Sequence, residues 1–69
     1  MNGRVKWFNA SRGFGFIEGS DEKEYFVHFS NIEMEGYKVL EEGDSVVFDI
    51  TDTDKGKSAI RVKIDENNE

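Results

Sequence analysis

Phe14-Gly15-Phe16-Ile17 is the stretch that decides the fold of this 69-residue chain. It is short, rich in residues that favour strands, and followed by the turn residues Gly19 to Asp21, which is typical of a β-strand. Successive side chains of a strand point to opposite faces, so the two phenylalanines share one face and Ile17 takes the other. One face of this strand therefore carries two aromatic rings.

The stretch at residues 25–29 has the same character and is predicted to be the next strand. Phe26 and His28 share one of its faces, whereas Tyr25 and Val27 take the other. The connection between the two strands is short, which favours a hairpin. In that hairpin the aromatic faces of both strands would form one patch.

Three further β-rich runs are separated by turn residues, at residues 4–8, 46–50 and 60–64. A short helical turn capped by Ser30 is expected at residues 30–32, with a loop at 33–44 and a polar turn at 51–56. The tail from residue 65 is expected to be frayed. Five short strands in one domain of residues 1–69 predict an all-β fold, a five-stranded antiparallel Greek-key barrel of the oligonucleotide-binding (OB) type.

An apolar set that does not include the aromatic patch is large enough to fill such a barrel. Its members are Val5, Ile17, Val27, Val46, Phe48, Ile50, Ile60 and Val62. Burying the rings instead would expose Ile17 and Val27 and would also bury His28. We therefore expect Phe14, Phe16, Phe26 and His28 on the outer surface. Of the adjacent pair Trp7 and Phe8, at least one should be exposed.

Charge is distributed unevenly along the chain. The net charge is −6, yet residues 1–17 carry Arg4, Lys6 and Arg12 and no acidic residue. A local positive patch can act within an acidic molecule because salt screens charges over about 8 Å. Bases stack on aromatic faces and cations hold phosphates, so an aromatic patch among cations favours nucleic acid. A duplex hides its base faces, so single strands are the expected ligand.

Several motifs resemble those of the bacterial cold-shock proteins: residues 6–9, 12–17, 26–29, 35–38 and 40–43. The resemblance implies an OB-type barrel that binds single-stranded RNA and DNA, often pyrimidine-rich, and acts as an RNA chaperone affecting transcription and translation, in many members during cold adaptation. It implies a nucleic-acid-binding set of Lys6, Trp7, Phe8, Arg12, Phe14, Phe16, Phe26, His28, Phe29, Tyr37 and Lys55. Arg12 replaces the family's usual lysine and Tyr37 its usual phenylalanine. In the last loop Gly56 is followed by lysine, where the family often has proline.

The chemistry of an enzyme is not visible in this sequence. There is no cysteine and only one histidine, so no His/Cys metal site is expected. We expect no catalytic residues, no cofactor and no small-molecule substrate. No apolar run could span a membrane, and a cytoplasmic monomer is expected. Two alternatives stay open: a module that binds a partner protein through the aromatic patch, and a barrel that binds an oligosaccharide.

Overall fold

Five strands close into a barrel in the computed structural model, which describes residues 1–34, 39–54 and 56–65. A three-residue 3₁₀ turn, Phe29–Asn31, follows the third strand. The barrel runs in the order β1-β2-β3-β5-β4, with β4 returning to pair with β1. The strands are β1 Asn2–Asn9, β2 Phe14–Gly19, β3 Glu24–His28, β4 Ser45–Thr53 and β5 Gly56–Ile64. The prediction of an all-β, five-stranded barrel is therefore confirmed.

One strand contact differs from the predicted antiparallel pattern. β3 and β5 are parallel where Phe26 lies opposite Ser58, whereas the other four contacts are antiparallel. The reason is geometric. A closed ring with an odd number of strands cannot alternate strand direction all the way round, so at least one neighbouring pair must be parallel.

The last two strands are longer than predicted. β4 continues to Thr53 and β5 begins at Gly56, and Thr53 pairs with Gly56 within the expected polar turn. Threonine favours strands because its β-branched side chain fits a pleated surface. The polarity of this segment therefore indicates exposure of the hairpin and not the end of the strands.

The core contains most of the predicted residues. Val5, Ile17, Val27, Val46, Phe48 and Val62 are buried, and Ile50 packs against them while partly exposed. Tyr25, Ile32, Leu40 and Ala59 complete the buried set. The core therefore draws on every strand and also on residues 32 and 40, which lie outside the strands.

The prediction that Ile60 belongs to this core is wrong. β5 carries an extra residue where the register passes from Lys63 opposite Val47 to Ile60 opposite Asp49, and Arg61 has a φ of 52° there. Such a bulge shifts the alternation of faces by one residue. Ala59 and Val62 consequently occupy the interior, and Ile60 is only partly buried.

Tyr25 links the β2–β3 turn to the core. Its ring packs against Phe48 with centroids 5.5 Å apart, and its hydroxyl donates a hydrogen bond to the Asp21 carboxylate. This bond lowers the pKa of Asp21 and raises the pKa of Tyr25, because it favours the ionised carboxylate and the neutral phenol. The Lys23 backbone N–H also donates to Asp21, so one carboxylate organises the turn. The described residues include no helix with the length and hydropathy needed to cross a membrane.

Candidate nucleic-acid interface

A bulge in β1 determines which way Trp7 points. Val5 lies opposite Ile17 and Trp7 lies opposite Phe16, so Lys6 is an extra residue on β1. In a regular strand Val5 and Trp7 would share a face, because they are two residues apart. The bulge turns them to opposite faces, so Val5 enters the core while Trp7 is 39% exposed. The expectation that at least one of the two adjacent aromatics is exposed is confirmed for Trp7.

Phe8 takes the other side of the strand. It lies opposite Gly15 and packs, half-buried, against the core. A Cβ at position 15 would lie 2.2 Å from the Trp7 carbonyl oxygen and 2.7 Å from the Phe8 Cα. Glycine is required there because the two strands approach each other so closely.

Four rings form what we call the aromatic platform: Trp7, Phe14, Phe16 and Phe26. Trp7 contacts Phe14 at 5.9 Å and Phe16 at 5.5 Å between ring centroids. Phe26 contacts the same two rings, each at 5.8 Å. The contacts therefore form a closed circuit over β1, β2 and β3, and every ring in it is at least partly exposed. The prediction that Phe14, Phe16 and Phe26 lie together on the outside is confirmed.

Two further aromatic side chains lie beside the platform, where β3 passes into the 3₁₀ turn. His28 lies opposite Phe14, and its ring is 4.6 Å from the ring of Phe29, which is 46% exposed. The prediction that Ser30 caps this turn is wrong. The turn begins one residue earlier, at Phe29, and the side chain of His28 caps it.

Phe29 is held against the β1–β2 turn. Its backbone N–H donates to the Gly13 carbonyl at 2.8 Å. Gly13 has a φ of 78°, and a Cβ there would lie 2.7 Å from Cδ1 of Phe29. The turn that carries Arg12 is thus fixed relative to Phe29.

The two cations of the site, Lys6 and Arg12, differ in whether an acidic side chain pairs with them. Lys6 Nζ donates to Glu24 Oε2 at 2.7 Å, and this bond together with the negative charge of Glu24 raises the pKa of Lys6. Arg12 is exposed, and its side chain has no ion pair within the described ranges. Its backbone N–H donates to Asn9 Oδ1 at 3.1 Å. Asn9 also accepts from the Ser11 hydroxyl, so this side chain shapes the turn.

A groove lies between the platform and the end of the β4–β5 hairpin. Phe16 and Phe26 line one side, and the other lining residues are Glu24, Thr53, Asp54, Gly56, Lys57 and Ser58. Sequence reasoning missed Glu24 here, although the signal was present. Residues 24, 26 and 28 share one face of β3, so Glu24 had to lie in line with Phe26 and His28.

The predicted set is therefore mostly brought together. Lys6 is next to Trp7 on β1, and His28 lies opposite Phe14 with Phe29 beside it. Arg12 lies in the turn that is fixed against Phe29, and Phe8 lies toward the core. Tyr37 and Lys55 lie outside the described residues. In the described ranges, no three acidic or histidine side chains are grouped closely enough to hold a metal ion. This geometry presents a ligand with flat aromatic surface, with Lys6 on β1 and Arg12 in the adjoining β1–β2 turn as the cations of the same region.

The family match and the bacterial relatives all point to the same protein family. Residues 1–64 match the 'Cold-shock' DNA-binding domain. Cold shock-like protein CspC of Bacillus cereus is 60% identical over 62 residues, which cover 90% of this chain and 95% of the relative. Cold shock protein CspA of Staphylococcus saprophyticus is 58% identical over 60 residues, covering 87% of this chain and 91% of the relative.

A solved structure supports the same fold. Drosophila Unr CSD456 superposes with a TM-score of 0.78 at 24% identity, and the match covers 97% of this chain. This chain spans only 27% of the length of that protein, so the likeness concerns one barrel within it. With a family match over residues 1–64 and bacterial relatives of nearly the same length, the chain belongs to the cold-shock domain family.

Proposed function

We propose that the chain binds single-stranded RNA or DNA by stacking bases on the aromatic platform, with Lys6 and Arg12 holding phosphates. The observation that carries this proposal is the closed circuit of four exposed or half-exposed rings on one face of the barrel. A small domain gains stability by burying such rings. Their placement outside is explained by a ligand with flat apolar faces.

The platform suits unpaired bases in particular. Each base stacked on an aromatic side chain contributes about 1–3 kcal/mol, so a few stacked bases suffice for useful affinity. The bases of a duplex are stacked on each other and offer only their edges. Single strands should therefore bind much more tightly than duplexes of equal length. The DNA-binding description of the family is in line with this ligand class.

RNA-chaperone action follows from such binding by mass action. A protein that binds unpaired strands shifts the equilibrium of a structured RNA toward its open form, to an extent set by protein concentration and affinity. No nucleotide hydrolysis is needed. The relatives are named cold shock proteins, which favours a role when RNA structure is stabilised by low temperature and when transcription and translation depend on opening it. We further propose that the protein acts as a monomer, which leaves the platform free, and that it needs no cofactor and has no enzymatic activity.

Trp7 provides the test. It is the only tryptophan, and it contacts two platform rings, so its fluorescence reports on this surface. The protein would be titrated with an oligothymidylate and with a duplex of equal length, each at two salt concentrations. We expect quenching by the single strand, weaker binding at higher salt and little response to the duplex. No response to any single-stranded DNA or RNA would contradict the proposal and favour a protein partner for the platform.

A further inference from the structure

His28 occupies an unusual position at the start of the 3₁₀ turn Phe29–Asn31. Its backbone is extended, with φ −114° and ψ 148°, and its side chain caps the turn. The Ser30 backbone N–H donates to His28 Nδ1 at 3.3 Å, and the Ser30 hydroxyl oxygen lies 2.9 Å from the same nitrogen. Caps are usually serine, threonine, aspartate or asparagine, whose oxygens accept this bond. Here a ring nitrogen does so.

This contact determines where the imidazole carries its proton. A neutral imidazole has one N–H and one nitrogen with a free lone pair. A backbone N–H can only donate, so Nδ1 must be the nitrogen with the lone pair. The Ser30 hydroxyl can adapt to either arrangement and does not alter this conclusion. The proton therefore resides on Nε2, on the side of the ring away from the turn.

The Nε2–H group is available to a ligand. His28 is half-buried and lies opposite Phe14, at the edge of the aromatic platform. Its ring is fixed on two sides, by the capping contact at Nδ1 and by the Phe29 ring at 4.6 Å. Within the described part of the chain, Nε2 has no hydrogen-bond partner.

We propose that His28 is held as the Nε2–H tautomer by the Ser30 backbone and donates this N–H to an oxygen of the bound strand. The inference rests on the proposed function for the identity of the ligand, but its first half concerns the free protein. His28 would then add a directional, neutral hydrogen bond to the stacking of the platform. The acceptor is either a base carbonyl or a phosphate oxygen, both of which accept from an N–H in the same way.

The tautomer can be measured without any ligand. A long-range ¹H–¹⁵N correlation spectrum of the labelled protein, at about pH 9 where histidine rings are generally neutral, distinguishes the two tautomers. We expect Nε2–H to dominate. Ser30→Ala removes the hydroxyl and keeps the backbone N–H, so it should retain the same tautomer. Dominance of Nδ1–H in the wild-type protein, or loss of the preference in Ser30→Ala, would overturn the assignment to the backbone amide.

The hydrogen bond from His28 Nε2–H to the strand is tested with two variants that both lack the imidazole ring. His28→Gln places an amide N–H near the position of Nε2, whereas His28→Leu has a similar size and no donor. We expect His28→Gln to bind oligothymidylate about fivefold more tightly than His28→Leu, as one net hydrogen bond predicts. Equal affinities of the two variants would refute the donor role. Failure of wild-type protein to bind any single strand would instead refute the proposed function, while the tautomer result would stand.

A second ligand identifies the acceptor. The same pair of variants would be compared on a set of oligothymidylates that each carry one abasic site, so that the remaining bases still stack on the platform. A difference that persists on every strand of the set assigns the acceptor to phosphate, and a difference that disappears on one strand assigns it to the base removed there. Either pattern supports the donor, and the oligothymidylate comparison alone can refute it.

Discussion

Phe29 lies directly over Gly13, so closely that a Cβ on Gly13 would be 2.7 Å from the ring carbon Cδ1. The backbones of the two residues are also joined, by the bond from the Phe29 N–H to the Gly13 carbonyl. The β1–β2 turn, which carries Arg12, and the 3₁₀ turn, which carries Phe29, are therefore positioned together. A change in either turn should move both parts of the interface.

Gly13→Ala should reduce both stability and affinity. Gly13 has a positive φ, which costs a residue with a Cβ about 1–2 kcal/mol, and the added Cβ would also displace Phe29. Gly43→Ala is the matched control, because Gly43 has a φ of 89° and a Cβ added there would meet no described atom within 4 Å. Urea unfolding and oligothymidylate titration would be compared for both. If Gly13→Ala loses no more affinity than Gly43→Ala, the coupling of the two turns is disproved.

Phe16→Ala and Phe26→Ala should weaken binding while leaving the fold intact. Each ring contributes stacking worth about 1–3 kcal/mol, and each is partly exposed in the free protein. Phe48→Ala is the contrasting variant, because Phe48 is buried in the core and its loss should cost about 3–5 kcal/mol of stability. Anisotropy of a labelled oligonucleotide and denaturant unfolding separate the two effects. Unfolding of both platform variants would show that these rings serve the core.

Glu24→Gln should strengthen binding of single strands. Glu24 holds Lys6 in a 2.7 Å ion pair that competes with phosphate for the ammonium group, so the loss of Glu24 removes this competition. The plot of log affinity against log salt should then steepen by up to about 0.7, the value for one full phosphate contact on a single strand. Asp49→Asn is the control. It removes one negative charge from the pair with Arg61, and neither residue belongs to the platform. An equal gain from both variants would mean that net charge alone is responsible.

Tyr25→Phe should lower the urea midpoint at neutral pH and alter the response to acid. The Tyr25 hydroxyl lowers the pKa of Asp21 below its ordinary value of 3.8, so this bond stabilises the fold above that pH and is lost as the pH falls through the lowered pKa. The difference between wild type and variant should therefore shrink in acid. It should also shrink in alkali, as the pH rises through the pKa of Tyr25, which is raised above 10.0. A difference that stays constant from neutral pH into acid would exclude this role of the bond. Asp21→Asn should flatten the acid response in the same way.

The faces of β2 and β3 could be predicted because each is a regular strand without a bulge. Ile17 and Val27 are fully buried and Phe26 is exposed, as simple alternation requires. Neither bulge could be predicted in this way. An extra residue in β1 or β5 depends on pairing with a distant strand, and the residues Lys6 and Arg61 carry no local signal for it.

The side-chain hydrogen bonds of Tyr25 and His28 could not be predicted from the sequence either. Tyr25 could be assigned to the inward face, but its bond to Asp21 depends on how the turn folds back. His28 was expected as a surface residue of the patch, and its capping contact arises from the place where β3 ends. The binding roles of the predicted residues stay predictions until the titrations are made.

The bulge at Lys6 gives β1 one residue that the alternation of its faces does not need. Deleting Lys6 would place Trp7 directly after Val5 and still opposite Phe16, so the indole would stay outside and Phe8 would stay on the core side. The strand would lose the stronger local twist that a bulge provides, and the ammonium group that pairs with Glu24. The extra residue therefore serves the curvature of the barrel wall, and a single-codon deletion there should lower stability without moving any ring from one face to the other.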